Sequence, residues 1–157
     1  MCIRDSDSPV QRELNRLADA DSRVNLLGHI SDREQFGVLL KNARCYFHGH
    51  SVGGINPSLV EAMGVGAFVA ANDTEFNREG LGEAGVYFAD PDRATEQAIA
   101  GFTDANTVNA KRMAAEWRAA DEFSVGYICD RYEQVMRRAI ETKRRLAAGE
   151  TRFGTNA

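Results

Sequence analysis

The run Ala67-Phe-Val-Ala-Ala71 is apolar throughout, with no polar residue to break it. A strand with one wet face alternates apolar and polar residues. An unbroken run is expected of a strand buried on both faces, in a parallel sheet with helices above and below. The neighbouring segments agree with that arrangement. Residues 45–48 read as a strand before the run, residues 85–88 as a shorter one after it, and residues 23–27, closed by Gly28, as a further strand.

Helices are predicted between and beyond these strands. In residues 9–20, Val10, Leu14, Leu17 and Ala18 recur at helical spacing, and Pro9 suits a first helical position where its missing N–H costs nothing. Ser31-Asp-Arg-Glu34 matches a capping box and predicts a helix from about Asp32, with Phe36, Leu39 and Leu40 as its buried stripe. A helix over residues 57–64 carries Leu59, Val60 and Met63 on its inner side. Further helices are predicted over residues 93–102, 107–120 and 124–147, the last ending in Lys143-Arg144-Arg145. Strands alternating with helices predict an α/β fold, a Rossmann-like parallel sheet with helices on both faces. Residues 1–8 are polar and without periodicity and are expected to be a non-native or disordered leader. Residues 9–148 form the expected domain, and residues 149–157 an expected disordered tail.

Composition removes several functional classes. The net charge of -4 and pI near 5.4 give no electrostatic reason for a nucleic-acid partner. No stretch approaches the roughly 18 consecutive apolar residues of a membrane span. Cys2, Cys45 and Cys129 are scattered, with no CxxC pair and no zinc-like spacing, which predicts reduced thiols in a cytoplasmic protein.

Sheets of this kind bind ligands at the carboxyl ends of their strands. The loop after Phe47 is therefore where chemistry is expected, in His48-Gly-His-Ser-Val-Gly-Gly-Ile-Asn-Pro-Ser-Leu-Val-Glu-Ala-Met63. Gly49, Gly53 and Gly54 let the backbone approach a ligand closely. Asn56 is a good N-cap and Pro57 a good first helical residue, so the N–H groups of Ser58, Leu59 and Val60 are expected to point free toward the loop as an anion site. Glu61, about one turn into the helix, can accept two hydrogen bonds from adjacent hydroxyls such as those of a ribose. Spacing alone leaves two readings open: a nucleotide site, or a glycine-rich turn beside a solvated glutamate.

The order of strand, capped helix, strand, glycine-rich loop, helix with Glu61-Ala-Met63 and then Gly66-Ala-Phe-Val-Ala resembles the C-terminal domain of the family-4 retaining glycosyltransferases, which have the two-lobed GT-B fold. The resemblance covers residues 24–88 and continues more weakly over residues 123–132. Residues 48–63 resemble a bacterial rhamnosyltransferase-like subset in particular. The resemblance implies transfer of a sugar from a nucleotide diphosphate donor to an acceptor hydroxyl in polysaccharide or glycoconjugate synthesis, without a metal or other cofactor. It assigns Ser51, Gly53, Gly54, Ile55, Asn56, Pro57 and Ser58 to the donor diphosphate and sugar, and Glu61 to the ribose. Gly28, His29 and Ile30 fall to the nucleobase loop, with His50 as a candidate catalytic residue or polar contact to the donor.

The sequence departs from the family at two positions. Much of the family has two glutamates separated by seven residues, and Gly53 stands where the first, which contacts the transferred sugar, would be. A deoxyhexose donor would need no carboxylate there; Ser51 or loop backbone could equally supply the contact. Ile55 replaces a small polar residue. The family's basic diphosphate clamp and its acceptor-binding lobe have no counterpart in these 157 residues, so the polypeptide alone is expected to bind nucleotide weakly and transfer nothing. Gly53 also fits two alternatives, a non-catalytic nucleotide-sugar-binding or interaction module and a GT-B nucleotide-sugar epimerase.

His48 and His50, at i and i+2, fall on one face of a strand as a metal pair would, but only His29 remains as a third imidazole and no metal is expected. Asp73 and Glu75 are read as solvated surface, and Lys143 to Arg145 as complements of a helix dipole. Relatives acting on lipid-linked acceptors imply a peripheral membrane contact through such an acceptor. The apolar face of the last helix, with Ile128, Tyr132, Val135 and Met136, is expected to be partly exposed, which favours self-association.

Overall fold

The computed structural model describes residues 8–102 and 104–148, so the predicted leader up to residue 7 and the tail 149–157 lie outside the described residues. Backbone contacts divide the chain into two compact units, Met1–Phe36 and Gly37–Ala157.

The first unit is a helix and an irregular strand-like segment. Helix α1 (Pro9–Ala20) starts where the Ser8 hydroxyl accepts the Gln11 N–H at 3.1 Å, with Pro9 in the first turn. Ser8, assigned to the leader by sequence, is thus part of the helix start. The strand expected over residues 23–27 does not form. The unit offers it no second strand to share a hydrogen-bond ladder with, and Val24, Leu26 and Leu27 stay exposed. Gly28 takes φ +66° in this stretch, the left-handed turn conformation that glycine adopts without steric cost. Helix α2 (Arg33–Asn42) begins as predicted, but its cap is Asp32 rather than Ser31. Asp32 Oδ1 accepts the N–H groups of Glu34 and Gln35 at 2.9 and 3.1 Å.

The second unit contains a parallel three-stranded sheet in the order β1 (Tyr46–His48), β2 (Val69–Asn72), β3 (Val86–Phe88). Tyr46, Phe47 and His48 lie opposite Val69, Ala70 and Ala71, and Ala70, Ala71 and Asn72 opposite Val86, Tyr87 and Phe88. Helix α3 (Pro57–Gly64) crosses from β1 to β2. Helix α4 (Glu75–Leu81) and a 3-10 turn (Gly82–Ala84) cross from β2 to β3. Then follow α5 (Ala94–Gly101), α6 (Ala105–Glu122) and α7 (Val125–Ala147). The fold is a mixed α/β one of Rossmann-like class, with three parallel strands where four were expected.

Strand alternation sorts the core into two faces. On one, Ala70 and Phe88 pack with Ala94 and Ala98 of α5. On the other, Tyr46 and His48 point toward α3, whose Leu59, Ala62 and Met63 are fully buried. Residues 67–71 have no exposed surface at all, as their unbroken apolarity requires. Two sequence details differ: Leu39 is exposed on α2 while Leu40 is buried, and Val60 is half-buried on α3.

Helix α3 ends in a Schellman motif. Gly66 N–H donates to Met63 O at 2.9 Å and Ala67 N–H to Ala62 O at 3.0 Å, with Gly66 at φ +67°. That turn delivers the chain straight into the buried strand. Helix α6 is bound to the rest by cations on carbonyls. Lys111 donates to Glu83 O and Gly85 O, Arg112 to Lys41 O and Ala43 O, and Arg118 to Glu79 O and Gly80 O. The two arginines thereby satisfy carbonyls at the ends of α2 and α4, which have no partner within their own helices.

Candidate functional site

The loop from Gly49 to Asn56 leaves the carboxyl end of β1 and enters the N-terminus of α3. At that end the sequence reading holds closely: Asn56 is the N-cap and Pro57 opens the helix. The amides are a correction. Ser58 N–H donates to Asn56 Oδ1 at 3.0 Å, and the N–H groups of Leu59 and Val60 donate to Asn56 O at 3.0 and 3.3 Å. All three were expected free. They are occupied because the extended backbone of Asn56 places both its carbonyl and its side-chain oxygen over the first turn.

Beneath the cap runs a chain of polar side chains. Ser58 Oγ donates to Asn56 Oδ1 at 2.8 Å, and the Tyr46 hydroxyl donates to Ser58 Oγ at 3.3 Å. The same hydroxyl lies 3.3 Å from His48 Nδ1. The other nitrogen, Nε2, is buried and has no partner among the described residues. His48 is only 1% exposed, and its ring stacks on that of His50 with centroids 4.8 Å apart and planes 20° apart. Burial, and after it the neighbouring His50, holds the His48 pKa below its usual 6.5. His48 is therefore a neutral core histidine.

His50 is exposed above it. Its backbone is fixed by Asn77, whose side-chain NH2 donates to His50 O and to Asn72 O, both at 2.9 Å. Asn77 ties the carboxyl ends of β1 and β2 together and is 2% exposed. Sequence reasoning missed it, because in this polar stretch only Asp73 and Glu75 were weighed, and both were read as solvated surface. The signal was Thr74, whose hydroxyl caps α4 by accepting the Asn77 N–H at 3.2 Å. Asp73 is indeed at the surface, paired with Arg78, and Glu75 sits in the first turn of α4.

Ile55 has a structural role. Its side chain lies over Gly80 of α4, 3.4 Å from where a β-carbon would stand, and so pins the distal end of the loop. Gly53 takes φ +99°, a conformation that side-chain-bearing residues rarely adopt. A glutamate there would be strained in this loop conformation.

Of the predicted donor-binding residues, His50 and Ser51 line a shallow recess of about 420 Å³ with Tyr46, Phe47, His48, Gly49 and Val52. Gly53, Gly54, Ile55, Asn56, Pro57 and Ser58 carry the chain on into α3 and do not line it. Glu61 is half-buried on α3, one turn in. Gly28, His29 and Ile30 belong to the first unit, where His29 is exposed and Ile30 half-buried. Among the described residues no three His, Cys, Asp or Glu side chains gather as a metal site. No protein-family model and no curated protein matches the chain.

Proposed function

We propose that the chain is the donor-binding half of a retaining glycosyltransferase of GT-B type, which moves a sugar from a nucleotide diphosphate to an acceptor hydroxyl in bacterial glycoconjugate synthesis. The observation that carries this reading is the glycine-rich loop running from the carboxyl end of a parallel strand into a capped helix N-terminus, with Glu61 one turn further on. The chemical difficulty of such a transfer is the charge that builds on the departing diphosphate, which fixed N–H dipoles stabilise best where water is excluded. Here Asn56 Oδ1 occupies the place of an anion's oxygen at Ser58 N–H. Rotation of the Asn56 side chain would release that N–H and the Ser58 hydroxyl together, and a phosphate oxygen would replace Oδ1 as their acceptor. Glu61 would accept from the ribose hydroxyls, and His50, exposed at the mouth, would meet the sugar or its phosphate. No metal is required in this scheme.

Calorimetric titration with UDP, dTDP and GDP, beside Glu61→Ala, tests it. One diphosphate binds, and the variant loses about tenfold or more, ~1.4 kcal/mol per factor of ten. Absence of binding by all three to a chain folded by circular dichroism overturns the donor-site reading. Gly53 favours one second reading, a binding module without transfer, because the residue that would grip the sugar is missing. Binding of the free diphosphate with no gain from an attached sugar would select it.

A further inference from the structure

Among the described residues, His48 Nε2, Gln97 Oε1 and Arg112 Nε are buried side-chain atoms without a hydrogen-bond partner. A buried polar atom left unpaired is costly, so each asks for a physical reason. Arg112 has one, because its two terminal nitrogens already hold the carbonyls of Lys41 and Ala43. His48 does not. Its Nδ1 meets the Tyr46 hydroxyl, and Nε2 is the remaining polar atom of the ring. The residue is 1% exposed, yet it lines the recess at the end of β1, which neither Gln97 nor Arg112 does.

The surroundings decide what completes Nε2. No lysine or arginine lines the recess, and none occurs anywhere between His48 and Glu61. Donors are nevertheless gathered there. His50 stands exposed at the mouth with its ring 4.8 Å from that of His48, and Tyr46 links Nδ1 to the Ser58 hydroxyl at the start of α3. The N-terminus of α3 adds the positive end of a helix dipole. A metal cation does not fit. An imidazole binds a metal in the plane of its ring, and two stacked rings whose planes are 20° apart do not converge on one ion. A ligand hydroxyl would pair Nε2 but would make no use of the second imidazole or of the helix end. An oxyanion uses all of them, and it supplies the acceptor that a proton on Nε2 lacks.

The groups that face the His48 ring are Tyr46 and His50 from its own segment and Ser58 from α3, with Ala71 beside it on β2. Glu61 is the one charged residue of α3, and α4 reaches the loop through the neutral amide of Asn77. In the free protein, burial and then His50 keep His48 neutral. A bound anion reverses that balance. We infer that His48 and His50 form a site for a divalent oxyanion, phosphate or sulfate in type, which draws one proton from solvent onto His48 so that its Nε2–H donates to the ligand. The site shares the loop of the diphosphate reading but rests on different groups. Binding that takes up a proton weakens as pH rises, by up to about tenfold per pH unit.

The test is NMR of the imidazole C–H protons of the full chain, titrated with sodium sulfate against sodium chloride of equal ionic strength. Sulfate keeps its charge around neutral pH, so any proton taken up belongs to the protein. Near pH 7 the His48 signal moves toward its protonated position in sulfate and stays in chloride. The apparent affinity falls about threefold or more over the next pH unit. His48→Gln, folded by circular dichroism, binds sulfate at least about tenfold more weakly and without that pH dependence. If that variant does not fold, His50→Gln decides, since its side chain is exposed and outside the core. Sulfate still charges His48 there, and a silent His48 overturns the inference. So does a wild-type response confined to His50, or none in His48 up to about 100 mM sulfate. A nucleoside diphosphate that binds without charging His48 overturns the inference and leaves the donor site standing. Sulfate that charges His48 while no nucleoside diphosphate binds does the reverse.

Discussion

His48, the first residue of the segment in which chemistry is expected, holds the site from below. Its ring is buried, neutral and stacked beneath His50, and its Nδ1 end joins a chain through Tyr46 and Ser58 to the Asn56 cap. Because burial depresses its pKa, the unfolded chain takes up a proton on His48 more readily than the folded one. Stability therefore has its full His48 contribution above about pH 6.5, and loses it as pH falls from there through the folded value. A charged His48 would also set a cation against His50 and place a proton on Nε2, which has no acceptor. Urea unfolding should thus show a lower midpoint near pH 5.5 than near pH 7.5, and His48→Gln should reduce that difference. An equal loss in the variant would assign the pH dependence to other groups. Asn77 acts at the same scale, since one buried amide holds the carbonyls of His50 and Asn72 and so sets where the loop leaves β1.

At the scale of elements, the tightest point lies between α4 and β3. A β-carbon on Gly85 would stand 2.4 Å from Leu81 Cδ2 and 2.7 Å from Val69 O. The leucine could shift, but the carbonyl belongs to the central strand and cannot move without disturbing the ladder. Gly85→Ala should therefore destabilise by about 1–3 kcal/mol, the usual range for overpacking, and lower the melting temperature by several degrees. Gly54→Ala is the control, because nothing lies within 4 Å of its β-carbon position. Equal melting temperatures would show that the strand end gives way freely. The elements legible from sequence were those whose signal is local. Asn56-Pro57 marked the start of α3 to the residue, Ser124 the start of α7, and the unbroken run 67–71 the buried centre of the sheet. Residues 23–27 had strand composition but no ladder to join, and pairing is not written in a strand's own residues. Helix α4 was missed because its short sequence is mostly polar and its one tell-tale cap, Thr74, looks like any loop threonine. In the site, the cap could be read from residue types. The fate of its amides depended on the Asn56 rotamer, and the Tyr46–His48–Ser58 chain on register between strand and helix.

Over the whole molecule, burial among the described residues is confined to the middle of the sequence. The buried core residues run from Leu40 to Ala119, while no described residue of the first unit is buried and α7 buries none. Helix α1, at 12 residues, is near the length at which an isolated helix is marginal in water. Local opening, which trypsin requires, should then be far easier at Arg16, at Arg23 and along α7 than within α6, where Arg112 and Arg118 are held on carbonyls. Limited tryptic digestion followed by mass spectrometry should show first cuts at Arg16 or Arg23 and at Arg137 or beyond. A fragment holding the sheet with α3 to α6 should persist. Early cleavage at Arg112 or Arg118 would mean that the core does not protect α6.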